Sequence, residues 1–228
     1  MDLMEVKDTA LAFLKPASEE TLRWFRTELK VELKEDQSPV TIADKNTEEI
    51  LRKHISKYFP EHGIIGEEFG LEKDKKEWVW TIDPIDGTLS FIRGLPFYSI
   101  LISLLHHGEP VVGIVSFPAL GETYWSIKGF GTFCNDLKVQ VSREKQISKS
   151  LVATADRYCF KEKKCLFLLE YLSNEAGLIR TYPDAFGHVL AIRGAIEVMV
   201  DPFAYIWDFA PLKILAEAKP TTDNFFDN

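Results

Sequence analysis

A strand that runs into two aspartates, a proline and a glycine constrains this chain more than any other stretch. In Trp78-Val79-Trp80-Thr81-Ile82-Asp83-Pro84-Ile85-Asp86-Gly87-Thr88, the opening residues have the aromatic and β-branched character of a buried strand. Pro84 and Gly87 are expected to end it, because proline donates nothing to a ladder and glycine accepts positive φ. Asp83 and Asp86 then fall in a turn where their carboxylates can converge. The amides of Gly87 and Thr88 lead into a predicted short helix, Thr88 to Arg93, and form a natural cradle for phosphate. Two carboxylates beside an anion-binding turn require a cation between them and the anion. The pattern points to metal-dependent phosphate chemistry.

Composition narrows the setting. At 228 residues and 46% hydrophobic content, the chain can bury a full core as one large domain or two close-packed ones. A net charge of −8 argues against nucleic acid as partner, and it would repel a polyanionic substrate unless metal cations neutralise the site. Cys134, Cys159 and Cys165 are odd in number and lack metal-ligand spacing, which suits small buried or half-buried thiols in a reducing cytosol. No apolar run approaches the ~18 residues of a membrane span, and the N-terminus lacks the order of a signal peptide. A cytoplasmic protein with no membrane partner is expected.

In chain order, Leu3 to Phe25 reads as a helix broken or kinked at Pro16, with Ser18 capping the restart. Val31 to Lys34 is a predicted strand, and Asp44 is the expected N-cap of a helix with Ile50, Leu51, Ile55 and Tyr58 as its apolar stripe. Ile64-Ile65 is a short strand that ends in Gly66-Glu67-Glu68-Phe69-Gly70, and Glu72 to Glu77 reads as a charged surface loop. Phe97 to Leu105, Pro110 to Phe117 and Glu122 to Ile127 form an antiparallel meander, with His106 and His107 as turn residues at a hairpin tip. Leu137 to Val141 closes the β-rich half. Strands at Leu151 to Ala155, Leu178 to Tyr182 and Ile196 to Val200 then alternate with helices at Lys161 to Ala176, Phe186 to Ile192 and Tyr205 to Ala218. An antiparallel front half before an α/β back half suggests stacked helix and sheet layers, with the site where they meet. The predicted division is 1–143, an antiparallel sheet with helices carrying most metal ligands, and 144–228, an α/β part that closes the active site.

Asp208, in Trp207-Asp208-Phe209-Ala210-Pro211, adds a carboxylate to an apolar helix that should be buried. It either caps that helix or meets a cation, since an unpaired buried carboxylate is costly. Several carboxylates without cysteine or histidine ligands favour a hard cation, Mg²⁺, with Mn²⁺ as substitute. Gly66-Glu67-Glu68, Asp83-Pro84-Ile85-Asp86-Gly87-Thr88 and Trp207-Asp208-Phe209-Ala210-Pro211 together resemble the three signature motifs of the inositol monophosphatase family. Pro39-Val40-Thr41-Ile42-Ala43-Asp44 is similar to a fourth. The resemblance spans nearly the whole chain, and the combination is far more specific than any one piece.

This resemblance implies a Mg²⁺-dependent, lithium-sensitive phosphatase with a layered α-β-α-β-α sandwich of the sugar-phosphatase type. It implies that Glu67, Asp83 and the Ile85 carbonyl hold one ion, that Asp83, Asp86 and Asp208 hold a second, and that Glu67 shares a third. Thr88, bonded to Asp44, would orient and deprotonate the attacking water. The Gly87 and Thr88 amides would hold phosphate, and Glu68 would support the ligands. Arg180-Thr181-Tyr182-Pro183-Asp184-Ala185-Phe186-Gly187-His188 and Gly194 to Pro202 are similar to the histidinol-phosphate phosphatase branch. There Asp184 and Asp201 would meet a cationic substrate amine; the plainer role for Asp184 is a cap on the Phe186 helix. Pro183 departs from the glycine usual in that branch. The family also continues past its last helix with Gly-Gly, a strand and a helix, which are expected to be lacking here. The leading substrate is L-histidinol phosphate, ahead of inositol 1-phosphate or a range of sugar phosphates. A homodimer is the candidate assembly. The rival from another class is an inactive or partner-dependent metal-binding module, suggested by the short C-terminus.

Overall fold

The computed structural model describes residues 1–72 and 76–217. Its first half is built by α1 (Leu3–Trp24), β1 (Glu32–Leu33), β2 (Pro39–Val40), α2 (Ile42–Tyr58), β3 (Gly63–Gly66), β4 (Gly70–Glu72), β5 (Trp78–Asp86) and α3 (Thr88–Ile92). A meander follows: β6 (Ser99–His106), β7 (Glu109–Phe117), β8 (Glu122–Ile127), β9 (Gly131–Cys134) and β10 (Leu137–Lys138). The remainder alternates through β11 (Leu151–Thr154), α4 (Arg157–Glu162), α5 (Leu166–Glu175), β12 (Leu178–Thr181), α6 (Asp184–Ile192), β13 (Val198–Val200) and α7 (Ile206–Glu217).

The main sheet has eight strands in the order β10-β9-β8-β7-β6-β5-β3-β4. Every pairing in it is antiparallel except β3 with β5. Alternation along the strands sends side chains to opposite faces. Ile100, Ile102 and Leu104 of β6 pack with Phe13 and Leu14 of α1 and Leu51 and Ile55 of α2. Leu101 and Val115 face the other way, onto Val189 and Ile192 of α6 and Leu212 and Leu215 of α7. Gly113 of β7 permits this second contact, since a Cβ there would lie 2.3 Å from Ile214 Cγ2 and 2.9 Å from the Pro211 carbonyl oxygen. A second sheet, parallel throughout, runs β12-β11-β13, with α6 touching β13 and α5 touching β12. The result is the layered α/β sandwich expected from the sequence. No described helix is long and apolar enough to cross a membrane.

Several local expectations are corrected. The first helix passes through Pro16 without interruption. The proline costs one backbone bond, yet Phe13, Leu14 and Ala17 around it are fully buried, and that apolar burial outweighs the loss. Ser18 therefore caps nothing. Strand β5 does not stop at Pro84 but runs to Asp86, with a register shift between Asp83, opposite Leu101, and Asp86, opposite Ser99. Pro84 sits within this bulge, where no ladder N–H is required. The helix expected over Lys161 to Ala176 is two, α4 and α5, separated where Lys164 adopts φ +58°. Of the residues expected to face inward there, Leu172 is buried while Cys165, Leu168 and Leu169 are half-buried. All three cysteines are free and half-buried. Residues 73–75 of the charged loop, and residues 218–228 with the expected missing C-terminal strand and helix, lie outside the described residues.

Candidate active site

The bulge in β5 aims the two aspartates of the opening stretch at one point. Asp83 Oδ1 accepts the Ile85 N–H at 3.0 Å. Asp86 Oδ2 accepts the Ser99 hydroxyl at 3.1 Å and the Ala185 N–H of α6 at 2.9 Å, joining the two halves of the chain. Asp208, in the first turn of α7, accepts the Tyr205 N–H through Oδ2 at 2.8 Å, so the capping role is present. The same carboxylate also lies within hydrogen-bond reach of Asp83. Carboxylate oxygens of Asp83, Asp86 and Asp208 lie within 4.8 Å of one another. Among the described residues, no cationic side chain forms an ion pair with any of the three.

Glu67 and Glu68 are carried by the turn after β3. That turn is held from behind by Glu48 of α2, which is fully buried. Its carboxylate accepts the Glu68 N–H at 2.7 Å, the Phe69 N–H at 3.2 Å and Arg52 Nε at 2.7 Å. Gly66 is there for the close approach: a Cβ would lie 2.0 Å from Glu48 Oε1. Lys34, on the β1–β2 hairpin, reaches Glu67 Oε1 at 2.7 Å and Glu68 Oε1 at 2.6 Å. Burial works to lower the Lys34 pKa, but its bonds to both glutamates outweigh that and hold it above the usual lysine range.

Asp44 is not the N-cap expected from the sequence. Thr41 caps α2, and Asp44 is the third helical residue of a reciprocal capping box, accepting the Thr41 N–H at 2.8 Å and the Thr41 hydroxyl at 2.6 Å through Oδ2. Its Oδ1 remains for Thr88, whose hydroxyl stands 3.2 Å from Asp44 Oδ1 and 3.1 Å from the Ile85 carbonyl oxygen. Gly87 caps α3 at φ +79°, and a Cβ there would sit 2.7 Å from Asp184 Oδ2. Only glycine satisfies both the backbone and the neighbour. Asp184 itself is no cap: Pro183 holds that position on α6, and Asp184 is the first helical residue, at φ +50°.

Like charges buried together set the electrostatics. Burial pushes Asp83 well above the usual carboxylate range, and the charges of Glu67, Asp86 and Asp208 add to it. Asp86 is raised by burial and then by Asp184 and Asp208. Asp208 rises to about 6 through burial, partly opposed by the Tyr205 N–H, and Asp184 rises to about 6 through burial and the charges of Asp201 and Asp156. Burial also raises Asp201, Asp44 and Glu68, the last to about 7. Such a cluster is unstable as bare carboxylates and fits a hard, oxygen-seeking cation.

Glu67, Asp86, Gly87, Thr88, Asp184, Asp201 and Asp208 all line one cavity of about 420 Å³. Asp83 joins it through the carboxylate cluster, Asp44 stands behind Thr88, and Glu68 turns toward Lys34. Sequence reasoning missed Lys34, Glu48, Asp156 and His188. The last two line the same cavity, and burial lowers the His188 pKa to about 4, so its imidazole is neutral at physiological pH. Asp156 had a usable signal. Ligands of parallel sheets gather at the carboxyl ends of strands, and Asp156, Asp184 and Asp201 follow the ends of β11, β12 and β13 in turn.

Comparison with known proteins agrees with this geometry. The inositol monophosphatase family model matches residues 2–219. The chain is 40% identical to a histidinol-phosphatase of Chlorobaculum parvum over 209 residues, 91% of this chain and 81% of that protein. It is 36% identical to a fructose-1,6-bisphosphatase/inositol-1-monophosphatase of Aquifex aeolicus, covering 82% of this chain and 73% of that one. The crystal structure of the extragenic suppressor protein SuhB from Bartonella henselae superposes with a TM-score of 0.86 at 25% identity, covering 93% of this chain and 84% of that chain. With a carboxylate cluster, a glycine-capped turn beside it and a match along nearly its whole length, the chain belongs to the inositol monophosphatase family, in its histidinol-phosphatase-like branch, and is a phosphatase of phosphate monoesters.

Proposed function

We propose that this phosphatase hydrolyses L-histidinol phosphate with two or three Mg²⁺ ions, Mn²⁺ serving as substitute. The observation that carries the substrate is the row of Asp156, Asp184 and Asp201 at the strand ends of the small sheet, on the cavity that also holds the metal-type cluster. Inositol phosphate offers such a row only hydroxyls, whereas histidinol phosphate carries an ammonium group that relieves its repulsion. Glu67, Asp83 and the Ile85 carbonyl are assigned to one ion, Asp83, Asp86 and Asp208 to the next, with Glu67 shared by a third. When bound, these ions neutralise the phosphate and supply Lewis-acid polarisation of its oxygens and of water.

The chain's own groups do the rest. The Gly87 and Thr88 amides bind the phosphate, and Asp184 and Asp201 hold the amine end. The Thr88 hydroxyl donates to Asp44 Oδ1, which leaves a Thr88 lone pair to accept a proton from the attacking water as its own proton passes to Asp44. Burial raises the basicity of Asp44 in that role. Glu68, bonded to Lys34, steadies the Glu67 turn.

Phosphate release from purified protein tests the reading. Histidinol phosphate is expected to be the best of a panel with inositol 1-phosphate and fructose 1,6-bisphosphate, and excess chelator should abolish turnover on all of them. Full turnover in chelator would sink the metal assignment; preference for inositol 1-phosphate would sink the substrate and leave the metal chemistry standing. Thr88→Ala is expected to lower kcat about 10²-fold, the usual contribution of one acid–base element, with a smaller change in KM. An unchanged kcat would remove Thr88 from the water-orienting role.

A further inference from the structure

Away from the cavity, the sheet register assembles a second set of metal-ligating groups. Pairing of β5 with β6 sets Trp78 opposite His106, which brings Glu77, the residue before β5, against the β6–β7 turn. His106 Nε2 lies 2.7 Å from Glu77 Oε1, and His107 Nε2 lies 3.6 Å from the same oxygen. Ligand atoms of all three residues fall within 4.8 Å of one another. Donors at ~2.0–2.1 Å around a tetrahedral ion stand roughly 3.3 Å apart, so shifts of about 1 Å would seat an ion here.

The groups are also pre-positioned. The Trp78 ring stacks on His106 with centroids 3.9 Å apart and planes 15° apart. His107 sits at φ +50°, its N–H donates to the Glu77 carbonyl oxygen at 2.9 Å, and its ring lies 4.3 Å from that of His106. The His107 side chain is 70% exposed and that of Glu77 is 55% exposed, so the cluster is open to solvent and to a fourth ligand. Two imidazoles and one carboxylate are a borderline donor set, suited to Zn²⁺, Cu²⁺ or Ni²⁺ rather than Mg²⁺. The cluster is separate from the catalytic one. It adjoins the start of β5, and a strand of nine residues puts roughly 25–30 Å between that end and Asp86.

We infer that Glu77, His106 and His107 bind a transition-metal ion, Zn²⁺ first among candidates, which clamps the entry of β5 to the β6–β7 turn. The test titrates Zn²⁺ into Mg²⁺-loaded wild type and into the His106→Gln/His107→Gln variant, in competition with a chromophoric chelator. Wild type is expected to take up one more equivalent of Zn²⁺ than the variant, and Zn²⁺ should raise the Tm of wild type alone. Single His106→Gln is expected to weaken that equivalent at least about tenfold, because losing a ligand costs no less than losing the group that supports one. Mg²⁺-dependent turnover, equal in both proteins before zinc is added, reports that the variant is folded. Equal zinc stoichiometry in the two proteins, or equal Tm shifts, would overturn the assignment.

Discussion

Asp83→Asn is expected to abolish turnover while raising the melting temperature of the metal-free protein. Losing one preorganised electrostatic element costs about 10²–10³ in kcat; Asp83 is assigned to both ions, so the fall should reach the upper end of that range or beyond. The stability gain has the same origin. Asp83 is buried against Glu67, Asp86 and Asp208, and its pKa lies well above the carboxylate range. A carboxyl with a raised folded pKa favours folding only while protonated. That contribution is fully present below the unfolded pKa of about 4 and is lost as pH rises through the folded pKa. Metal-free wild type should therefore lose stability as pH rises above about 4, with Asp208 contributing its loss through about 6 and Asp83 adding to it at the higher end. Asparagine removes a carboxyl that is costly to ionise among these neighbours, with an expected gain of about 1–3 kcal/mol, or about 2–4 °C per kcal/mol in a chain of this size. Mg²⁺ should then stabilise wild type more than the variant. Thermal scans in chelator at pH 5 and pH 7.5, alongside phosphate release, check both halves. A variant that turns over normally, or melts lower than wild type without metal at pH 7.5, would show that Asp83 is not part of a strained cation site.

How far the sequence reveals this protein depends on how local each signal is. Asp83, Asp86 and Asp208 are legible because each puts a charge into an apolar strand or helix, a choice that packing alone never makes. Asp44 is legible as a cap residue but misplaced: the capping box uses Thr41 for the cap and Asp44 three residues on, and the N-cap propensity of aspartate alone cannot separate the two. Lys34 and Glu48 carry no local signal. One lies on a short hairpin and the other in a helix stripe, and only tertiary packing brings them to the Glu67 turn. Pro16 shows the reverse case, where a strong local breaker yields to burial on both sides. The break between α4 and α5 rests on Lys164 at φ +58°, a conformation that lysine rarely adopts and that hydrophobic spacing does not report.

The position of Asp184 determines how its charge should be tested. A serine substitution would remove the carboxylate but would also place a less tolerant residue at φ +50°; asparagine accepts that region and keeps the volume, so Asp184→Asn changes the charge alone. Asp184 Oδ2 stands over Gly87 in the turn assigned to phosphate, and burial, with the charges of Asp201 and Asp156 added to it, raises its pKa to about 6. A substrate ammonium entering there meets a group that gains from ionising. An enclosed charge-assisted pair contributes ~1.5–3 kcal/mol, or roughly ten- to a hundredfold in selectivity. Asp184→Asn is therefore expected to lower kcat/KM for histidinol phosphate by about that factor and to spare inositol 1-phosphate. Because Asp184 also raises the pKa of Asp86, the Mg²⁺ dependence of each rate is measured in parallel, and it should shift equally for both substrates. Equal losses on the two substrates, following a common shift in Mg²⁺ requirement, would identify Asp184 as a partner of the metal cluster and leave the amine without a counter-charge. A loss confined to histidinol phosphate at saturating Mg²⁺ can come only from a contact that the ammonium makes and the hydroxyls do not.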